Sequence, residues 1–267
     1  ESTQMEKIVA LCKRRGFIFP GSEIYGGLAN SWDYGPLGAQ LKKNIKDLWW
    51  NRFVERRDDM VGIYAAIIMN PKVWEASGHT TGFTDPLVEC KICHERVRAD
   101  KTDEISEHEF MHTKKKEKVE WTEPKMFNLL FPVKLGSSEE TSVTSYLRGE
   151  IAQAMFVNFK NVLDSSRVRI PFGIASQGNV FRNEITPGNF IFRTREFDLM
   201  EFEYFIKESD WKENFDYWHK EMYNWIEAIG IDKSHVHDLE KTDLAHYSKR
   251  TVDLEYDFPF GREELYG

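Results

Sequence analysis

Residues 178–205 read GNVFRNEITPGNFIFRTREFDLMEFEYF, and this stretch decides the fold. The polar segment ITPGN divides it, and Pro187 followed by Gly188 is a typical turn signal. The pattern therefore predicts two antiparallel strands joined by a loop. Side chains alternate across a strand, so one face of the second strand is largely apolar. That face comprises Phe190, Phe192, Met200, Phe202 and Tyr204.

The opposite face of the second strand carries both signs of charge around an aromatic ring. It comprises Arg193, Arg195, Phe197, Glu201 and Glu203, and the facing strand adds Arg182 and Glu184. Guanidinium groups bind phosphate, aromatic rings stack on bases, and carboxylates can hold ammonium groups. The face therefore indicates a nucleotide phosphate bound beside an amino compound. A cross-strand ladder of salt bridges on a solvated face is the alternative that the pattern leaves open.

The string from Phe181 to Phe197, FRNEITPGNFIFRTREF, resembles motif 2 of the class II aminoacyl-tRNA synthetases. That motif consists of Phe-Arg-x-Glu, a loop, and Arg-x-x-x-Phe. Three longer strings resemble glycyl-tRNA synthetases of the bacterial homodimeric type: SEIYGGLANSWDYGPLGAQLKKNIKDLWW (22–50), YLRGEIAQAMFVNFKNVLDSSR (146–167) and AHYSKRTVDLEYDFPFG (245–261). The resemblance covers nearly the whole chain. It implies an α+β fold, the class II catalytic core, in which helices flank an antiparallel β-sheet.

The resemblance implies a glycine–tRNA ligase, which activates glycine with ATP and transfers the glycyl group to tRNA(Gly). Arg182 and Arg193 would be the catalytic arginines, at the α- and γ-phosphates of ATP. Phe197 would stack on adenine, with Glu184 near its amino edge, and Mg²⁺ would bridge the phosphates. The further ATP-binding positions implied by the resemblance are Asn183, Phe192, Thr194, Arg195, Glu196, Glu264 and Leu265.

The same resemblance implies a glycine site built from carboxylates. Glu150 and Glu201 would bind the ammonium group of glycine. The further positions that the resemblance assigns to this site are Arg98, Phe197, Asp198, Leu199 and Met200. Glycine has no side chain to grip, so the pocket must select it by excluding larger amino acids.

The chain departs from the family pattern at three positions. Gly149 and Ile151 flank Glu150 where the family has proline and threonine, and Gly188 stands where the family usually has an arginine. The chain also ends before the family's third motif and its anticodon-binding domain, so a truncated catalytic core is expected. The alternative is a non-catalytic paralogue that binds nucleotide or adenylate, or acts as a dimerising module.

The composition is typical of a globular protein, with 41% hydrophobic and 30% charged residues among 267. A net charge of −8 argues against a surface that broadly coats nucleic acid. An uninterrupted apolar run long enough to span a membrane is absent from the sequence. Three cysteines do not make a disulfide framework, so a reducing, cytoplasmic location without membrane association is expected.

Hydrophobic periodicity predicts helices over 2–15, 37–55 and 209–229, and a helix entry followed by a helix over 145–163. Strands are predicted near 60–69, 123–135 and 251–260, and a mobile Gly/Thr loop over 77–88. The helix and strand before Pro71 resemble class II motif 1, which implies a homodimer; a plain amphipathic helix on the domain's own core is the alternative. The predicted division is an N-terminal part of the core over 1–87, an insertion over 88–122, and the rest of the core over 123–267.

The insertion contains a candidate metal site. Cys90, Cys93, His108 and His112 follow the spacing C-x2-C-x14-H-x3-H, which lies within the range for tetrahedral zinc. Four protein ligands leave no open position, so the predicted zinc is structural. Two alternatives remain: the histidines are ordinary surface residues, or the insertion and the basic run TKKKEK (113–118) form a zinc-dependent RNA-binding module.

Overall fold

The computed structural model describes residues 2–138, 141–185, 188, 190–245 and 247–267. Thr186, Pro187 and Asn189 of the predicted loop lie outside the described residues. The helices are α1 Gln4–Arg15, α2 Pro36–Trp50, α3 Pro71–Ala76, α4 His79–Gly82, α5 Thr102–Thr113, α6 Ala152–Ser166 and α7 Trp211–Ala228. The strands are β1 Ile18–Pro20, β2 Trp32–Tyr34, β3 Met60–Gly62, β4 Thr84–Glu89, β5 Arg96–Arg98, β6 Lys125–Asn128, β7 Phe131–Leu135, β8 Val143–Leu147, β9 Phe172–Phe181, β10 Glu196–Phe205, β11 Val236–Glu240, β12 Val252–Phe258 and β13 Gly261–Tyr266.

The chain divides into two compact units. The first unit comprises Glu1–Ile18, Tyr34–Ile45 and Phe205–Gly267, and the second comprises Phe19–Asp33 and Lys46–Tyr204. Residues 88–122, the predicted insertion, fall within the second unit. No helix among the described residues is both long enough and apolar enough to cross a bilayer.

The first unit contains helix α1 and a small sheet packed against α7. Helix α1 begins with a capping box between Thr3 and Glu6 and ends at Gly16, whose φ of 72° lies in the left-handed region. Strands β11, β12 and β13 pair in sequence order, and both pairs are antiparallel. The core between this sheet and α7 comprises Ile226, Val236, Val252 and Leu254, and Phe215 and Met222 of α7 pack against it.

The second unit is built around strand β9, which lies between β10 and β3. The pairing of β3 with β9 is parallel, a feature that the predicted antiparallel sheet did not include. Parallel neighbours require a long connection, and here the chain between Gly62 and Phe172 supplies it. Trp49 and Phe53 pack on Phe202 of β10, with ring centroids 6.2 and 5.5 Å apart, which covers one face of the sheet.

Several element boundaries differ from the sequence predictions. The second strand of the 178–205 stretch begins only at Glu196, and the strand predicted over 60–69 is limited to β3. The predicted strand over 123–135 is two strands, β6 and β7, which pair with different partners. Within the helix entry and helix predicted over 145–163, the helix begins at Ala152, because residues 143–147 form β8 and pair with β7. The predicted loop over 77–88 is wrong, since it contains α4 and most of β4.

Candidate active site

The charged face of β9 and β10 lies opposite the side that Trp49 and Phe53 cover. Even-numbered Phe202 packs on those two rings, so alternation places odd-numbered Phe197, Glu201 and Glu203 on the other face. This is the division of faces that the sequence predicts for β10. Arg182 directly follows β9, and its backbone N–H donates to the carbonyl of Arg195 at 3.0 Å.

The guanidinium of Arg182 is fixed by one hydrogen bond and two aromatic rings. Its Nε donates to the carbonyl oxygen of Gly149 at 3.1 Å. Its central carbon lies 5.2 Å from the ring centroid of Phe83 and 5.4 Å from that of Phe197. Both distances are within the range of cation–π attraction. The planar cation is therefore held in one orientation.

Arg193 and Glu184 form an ion pair beside Arg182. The Nη1 of Arg193 lies 3.5 Å from Oε2 of Glu184, which is 5% exposed. Arg195 has a different role, because its Nε donates to the backbone carbonyl of Glu184 at 3.2 Å and its Nη1 to that of Ala29 at 3.2 Å. Arg195 thus ties the segment after β9 to residues 29–30, since its backbone N–H also donates to the carbonyl of Asn30 at 3.2 Å.

Arg98 is held between two aspartates. Its Nη1 donates to Oδ2 of Asp85 at 3.0 Å, while Nε and Nη2 donate to the two oxygens of Asp100 at 3.0 and 2.7 Å. Burial raises the pKa of Asp85 despite the opposing charge of Arg98, and weaker opposing contributions come from Arg193 and Arg182. The pKa of Arg98 is raised chiefly by Asp100. The charge of Asp85 therefore interacts with Arg98 and, more weakly, with Arg193 and Arg182.

Glu150 accepts two hydrogen bonds on one carboxylate oxygen. Its Oε2 lies 3.1 Å from Nε2 of His79 and 3.0 Å from Nε2 of Gln153. Burial favours a higher pKa for Glu150, but the hydrogen bonds from His79 and Gln153 outweigh it and lower the pKa. The group is therefore ionised at neutral pH.

Glu201 and Glu203 are carboxylates in a setting that disfavours charge. Burial, followed by repulsion from Glu150, raises the pKa of Glu201 to about 6, although its Oε2 accepts from the N–H of Ile151 at 3.1 Å. Burial, followed by repulsion from Glu201 and Glu150, raises the pKa of Glu203 to about 7. Three acidic groups thus share one end of the face, and a cation bound there would relieve their repulsion.

Some predicted residues do not lie with this group. Asp198 is on the covered face of β10, where its Oδ1 accepts from Nζ of Lys46 at 2.6 Å. Met200 shares that face by alternation, whereas Leu199 lies on the charged one. Glu196 is exposed and accepts from the side chain of Asn179 at 2.5 Å.

Other predicted positions act through the backbone or lie elsewhere. The N–H of Asn183 donates to the carbonyl of Leu129 at 2.8 Å, and Thr194 Oγ1 donates to the carbonyl of Glu196 at 2.9 Å. Phe192 is half-buried just before Arg193. In the first unit, Glu264 and Leu265 lie on β13, and Leu265 packs on the core of that unit. Their assignment to ATP stays a prediction from the resemblance.

Several residues at the site are not among those predicted from the sequence. They are His79, Phe83, Asp85, Gln153 and Ser176. The i, i+4 spacing of His79 and Phe83 is a helical signal that the Gly/Thr-rich composition of 77–88 concealed. Ser176 Oγ and Gln153 Oε1 are buried and have no hydrogen-bond partner among the residues that the structure describes. Alternation places Ser176 on the same face of the sheet as Arg182.

The two departures beside Glu150 have a structural explanation. A Cβ at Gly149 would lie 2.9 Å from Cε1 of Phe83, so the glycine leaves room for the ring that contacts Arg182. Ile151 is fully buried, and its N–H donates to Glu201. Both substitutions therefore fit the site as it is packed in this chain.

The four predicted metal ligands lie together in the second unit. Their ligand atoms are all within 4.8 Å of one another. Cys90 Sγ is 3.9 Å from His112 Nε2, and Cys93 Sγ is 3.6 Å from His108 Nε2. The other ring nitrogens face carboxylates, as is usual for ligating histidines: His112 Nδ1 lies 2.6 Å from Glu117, and His108 Nδ1 lies 3.3 Å from Glu95. The group could hold one metal ion.

Comparison with known families and structures agrees with the predicted fold. Residues 133–264 match the family model described as tRNA synthetase class II core domain (G, H, P, S and T). A solved structure, the RNA binding domain of threonyl-tRNA synthetase from Cryptosporidium parvum Iowa II, superposes with a TM-score of 0.52 at 17% identity. The superposed region covers 83% of this chain and 42% of the threonyl-tRNA synthetase chain. The predicted fold class is confirmed.

Curated relatives are similar over nearly the whole chain. The glycine–tRNA ligase of Alkaliphilus oremlandii is 49% identical over 98% of this chain, and that of Acetivibrio thermocellus is 50% identical over 98%. The chain spans 62% of the length of each of these relatives. This chain is therefore a homologue of the glycine–tRNA ligases and contains a class II tRNA synthetase core domain.

Proposed function

We propose that this chain forms the amino-acid-activating site of a glycine–tRNA ligase. The observation that carries the proposal is the contact between Arg182 and the carbonyl of Gly149, directly before Glu150. It joins a fixed guanidinium, suited to phosphate, to the half-buried carboxylates of Glu150 and Glu201, suited to an ammonium group. Glycyl-adenylate carries a phosphate and an ammonium group on one small molecule.

The proposed reaction is the activation of glycine by ATP. An oxygen of the glycine carboxylate attacks the α-phosphorus, the bond from that phosphorus to the bridging oxygen breaks, and pyrophosphate leaves with the electron pair. Arg182 would hold the α-phosphate and Arg193 the γ-phosphate, while Phe197 would stack on adenine. The protein contributes positioning and charge neutralisation, which are large effects in a site closed to water. The glycyl group would then pass to the terminal ribose of tRNA(Gly).

Selectivity for glycine follows from the crowding around the ammonium site. Ile151 directly follows Glu150, is fully buried, and donates its N–H to Glu201, so packed apolar atoms and two carboxylates would border the bound ammonium group. A larger amino acid would have to displace packed atoms or bury apolar surface against carboxylates. Mg²⁺ would enter with the nucleotide, because proteins bind it mainly through substrate phosphates, water and one or two carboxylates. The carboxylate that would serve Mg²⁺ here is Glu184, which is buried beside Arg193.

Exchange of labelled pyrophosphate into ATP tests the activation step. The purified chain should support exchange with glycine and far less with alanine or serine. Binding of adenylates without exchange would favour the alternative, a non-catalytic paralogue. Exchange that proceeds equally well with all three amino acids would contradict the proposed selectivity.

The homodimer and the cytoplasmic location are further parts of the proposal. Both rest on the resemblance to the homodimeric glycyl-tRNA synthetases, in which motif 1 forms the dimer interface. In this chain the corresponding elements are α2 and β3, and Tyr64, two residues after β3, is 91% exposed. A mass of two chains in analytical ultracentrifugation is the expected result.

Zinc is the metal that we propose for Cys90, Cys93, His108 and His112. In a tetrahedral zinc site with ordinary bond lengths, sulfur and nitrogen ligands lie about 3.5 Å apart. The observed separations of 3.6 and 3.9 Å are close to that value. Four protein ligands leave no place for a substrate, so the metal would stabilise the fold of the insertion.

Purified protein should therefore contain about one zinc per chain by elemental analysis. Cys90→Ser should reduce this content strongly and lower the melting temperature, because the metal links residues 90–93 to helix α5. Cys12→Ser is the matched control, since Cys12 lies in the first unit and outside the ligand group. Zinc well below one per chain in the wild-type protein, or equal content in both variants, would contradict the assignment.

A further inference from the structure

His79 is a buried histidine whose two ring nitrogens both have polar partners. It begins α4, and the residue is 9% exposed. Its Nε2 lies 3.1 Å from Oε2 of Glu150, and its Nδ1 lies 2.8 Å from Oγ of Ser77. An ionised carboxylate only accepts hydrogen bonds, so Nε2 carries the hydrogen and donates it to Glu150.

The surroundings of His79 hold the ring in place. Its ring centroid lies 5.2 Å from that of Trp74 and 5.0 Å from that of Phe83. The side-chain amide of Asn128 donates to the carbonyls of His79 and Thr80 at 2.9 and 3.0 Å, which anchors the start of α4. The ring therefore cannot turn away from Glu150 without disturbing several packed groups.

The hydrogen bond to His79 fixes the orientation of the Glu150 carboxylate. Both donors, His79 and Gln153, bind Oε2, which leaves the acceptor capacity of Oε1 for a ligand. The hydrogen bonds from these two residues also keep the pKa of Glu150 below its ordinary value in spite of burial. A carboxylate that is ionised and fixed before the ligand arrives binds an ammonium group without reorganisation.

We propose that His79 is a positioning residue of the glycine site: through Nε2 it holds the Glu150 carboxylate in the orientation that binds the ammonium group. Ser77 completes the arrangement by holding Nδ1 at the far side of the ring. The inference rests on the proposed function, because Glu150 must contact glycine for its orientation to matter. The competing explanation is that His79 only fills space between Trp74 and Phe83.

Two amide substitutions separate these explanations. In His79→Gln the side-chain amide nitrogen can occupy the place of Nε2 and still donate to Glu150. In His79→Asn the side chain is one methylene shorter, so its amide matches Nδ1 and cannot reach Glu150. The two variants have the same polarity and similar packing losses, and they differ in the one hydrogen bond at issue.

The experiment is calorimetric titration of each variant with two non-hydrolysable adenylate analogues. One carries a glycyl group, and the other carries a glycolyl group with a hydroxyl in place of the ammonium. We expect His79→Asn to weaken binding of the glycyl analogue about 10- to 100-fold, the typical effect of losing a hydrogen bond to a charged group. The glycolyl analogue should bind all forms alike, and His79→Gln should stay within about threefold of wild type for both analogues.

The outcomes distinguish the inference from the function on which it rests. Equal affinity of wild type and His79→Asn for the glycyl analogue would overturn the inference and leave the proposed function standing. Parallel losses for both analogues in both variants, with lower melting temperatures, would assign His79 to packing and would also overturn it. A wild-type chain that binds neither analogue would overturn the proposed function and the inference together.

Discussion

Replacing Arg182 by alanine is expected to lower kcat/KM for glycine-dependent pyrophosphate exchange about 10²- to 10³-fold. The guanidinium is fixed by the carbonyl of Gly149 and by the rings of Phe83 and Phe197 before any ligand binds. A charge fixed in this way stabilises the developing negative charge on the α-phosphate without reorganisation. Its removal also leaves the carbonyl of Gly149 without this donor, directly beside Glu150.

Arg182→Lys should recover little of the lost activity. A lysine ammonium lacks the planar shape that lies beside two rings and the fork of donors that matches phosphate. Arg169→Ala is the matched control, because Arg169 is an exposed arginine in the same unit, before β9. A kcat/KM for Arg182→Ala within about threefold of wild type would contradict a role at the reacting phosphate.

The second large effect is expected at Glu201, where glutamine should raise KM for glycine about 30- to 10³-fold. Glutamine keeps the shape of the side chain and an oxygen that accepts from the N–H of Ile151. It removes the charge that would pair with the ammonium group in a buried site. Because ATP binds at the arginine end, KM for ATP should change little.

The pH dependence of glycine binding follows from the pKa of Glu201. Burial, followed by repulsion from Glu150, raises this pKa to about 6, so the carboxylate is ionised above that value and protonated below it. The ammonium group of glycine stays charged on both sides of pH 6. Affinity for glycine should therefore fall about tenfold for each pH unit below 6.

This pH dependence supplies its own control. In Glu201→Gln the affinity for glycine should be low and its fall below pH 6 much shallower, because, of Glu201 and Glu203, only Glu203, with a pKa raised to about 7, still titrates there. Glu123→Gln, at an exposed glutamate of the same unit that belongs to no predicted site, should behave as wild type. A wild-type profile that is flat between pH 5 and 7, measured by titration of glycine at each pH, would show that Glu201 does not pair with the ammonium group.

The sequence predicted the parts of the site that lie on one regular strand. Alternation along β10 separates Phe197, Glu201 and Glu203 from Phe202, and the structure has this division. The same alternation predicts a strand that begins too early in the sequence. Alternation predicts that residues 190–195 belong to the strand, but Arg195 binds the carbonyls of Ala29 and Glu184, and β10 begins only at Glu196.

The contacts that were not predicted join residues far apart in the sequence. His79 meets Glu150, and Phe83 meets Arg182, across separations that no local period encodes. Asp198 shows the opposite error. Its position next to Phe197 in the sequence suggests the glycine site, but it lies on the covered face of β10, where it binds Lys46. The metal ligands were predictable because two short local spacings, C-x2-C and H-x3-H, each place a pair of ligands on one side of a turn or helix.

The central claim is that the arginine end and the carboxylate end of this face bind one glycyl-adenylate. Calorimetry with non-hydrolysable glycyl-, alanyl- and seryl-adenylate analogues tests it most directly. The account predicts that the wild-type chain binds the glycyl analogue at least about tenfold more tightly than the other two, a difference of about 1.4 kcal/mol. Equal affinity for the three analogues, or no binding of any of them, would contradict it.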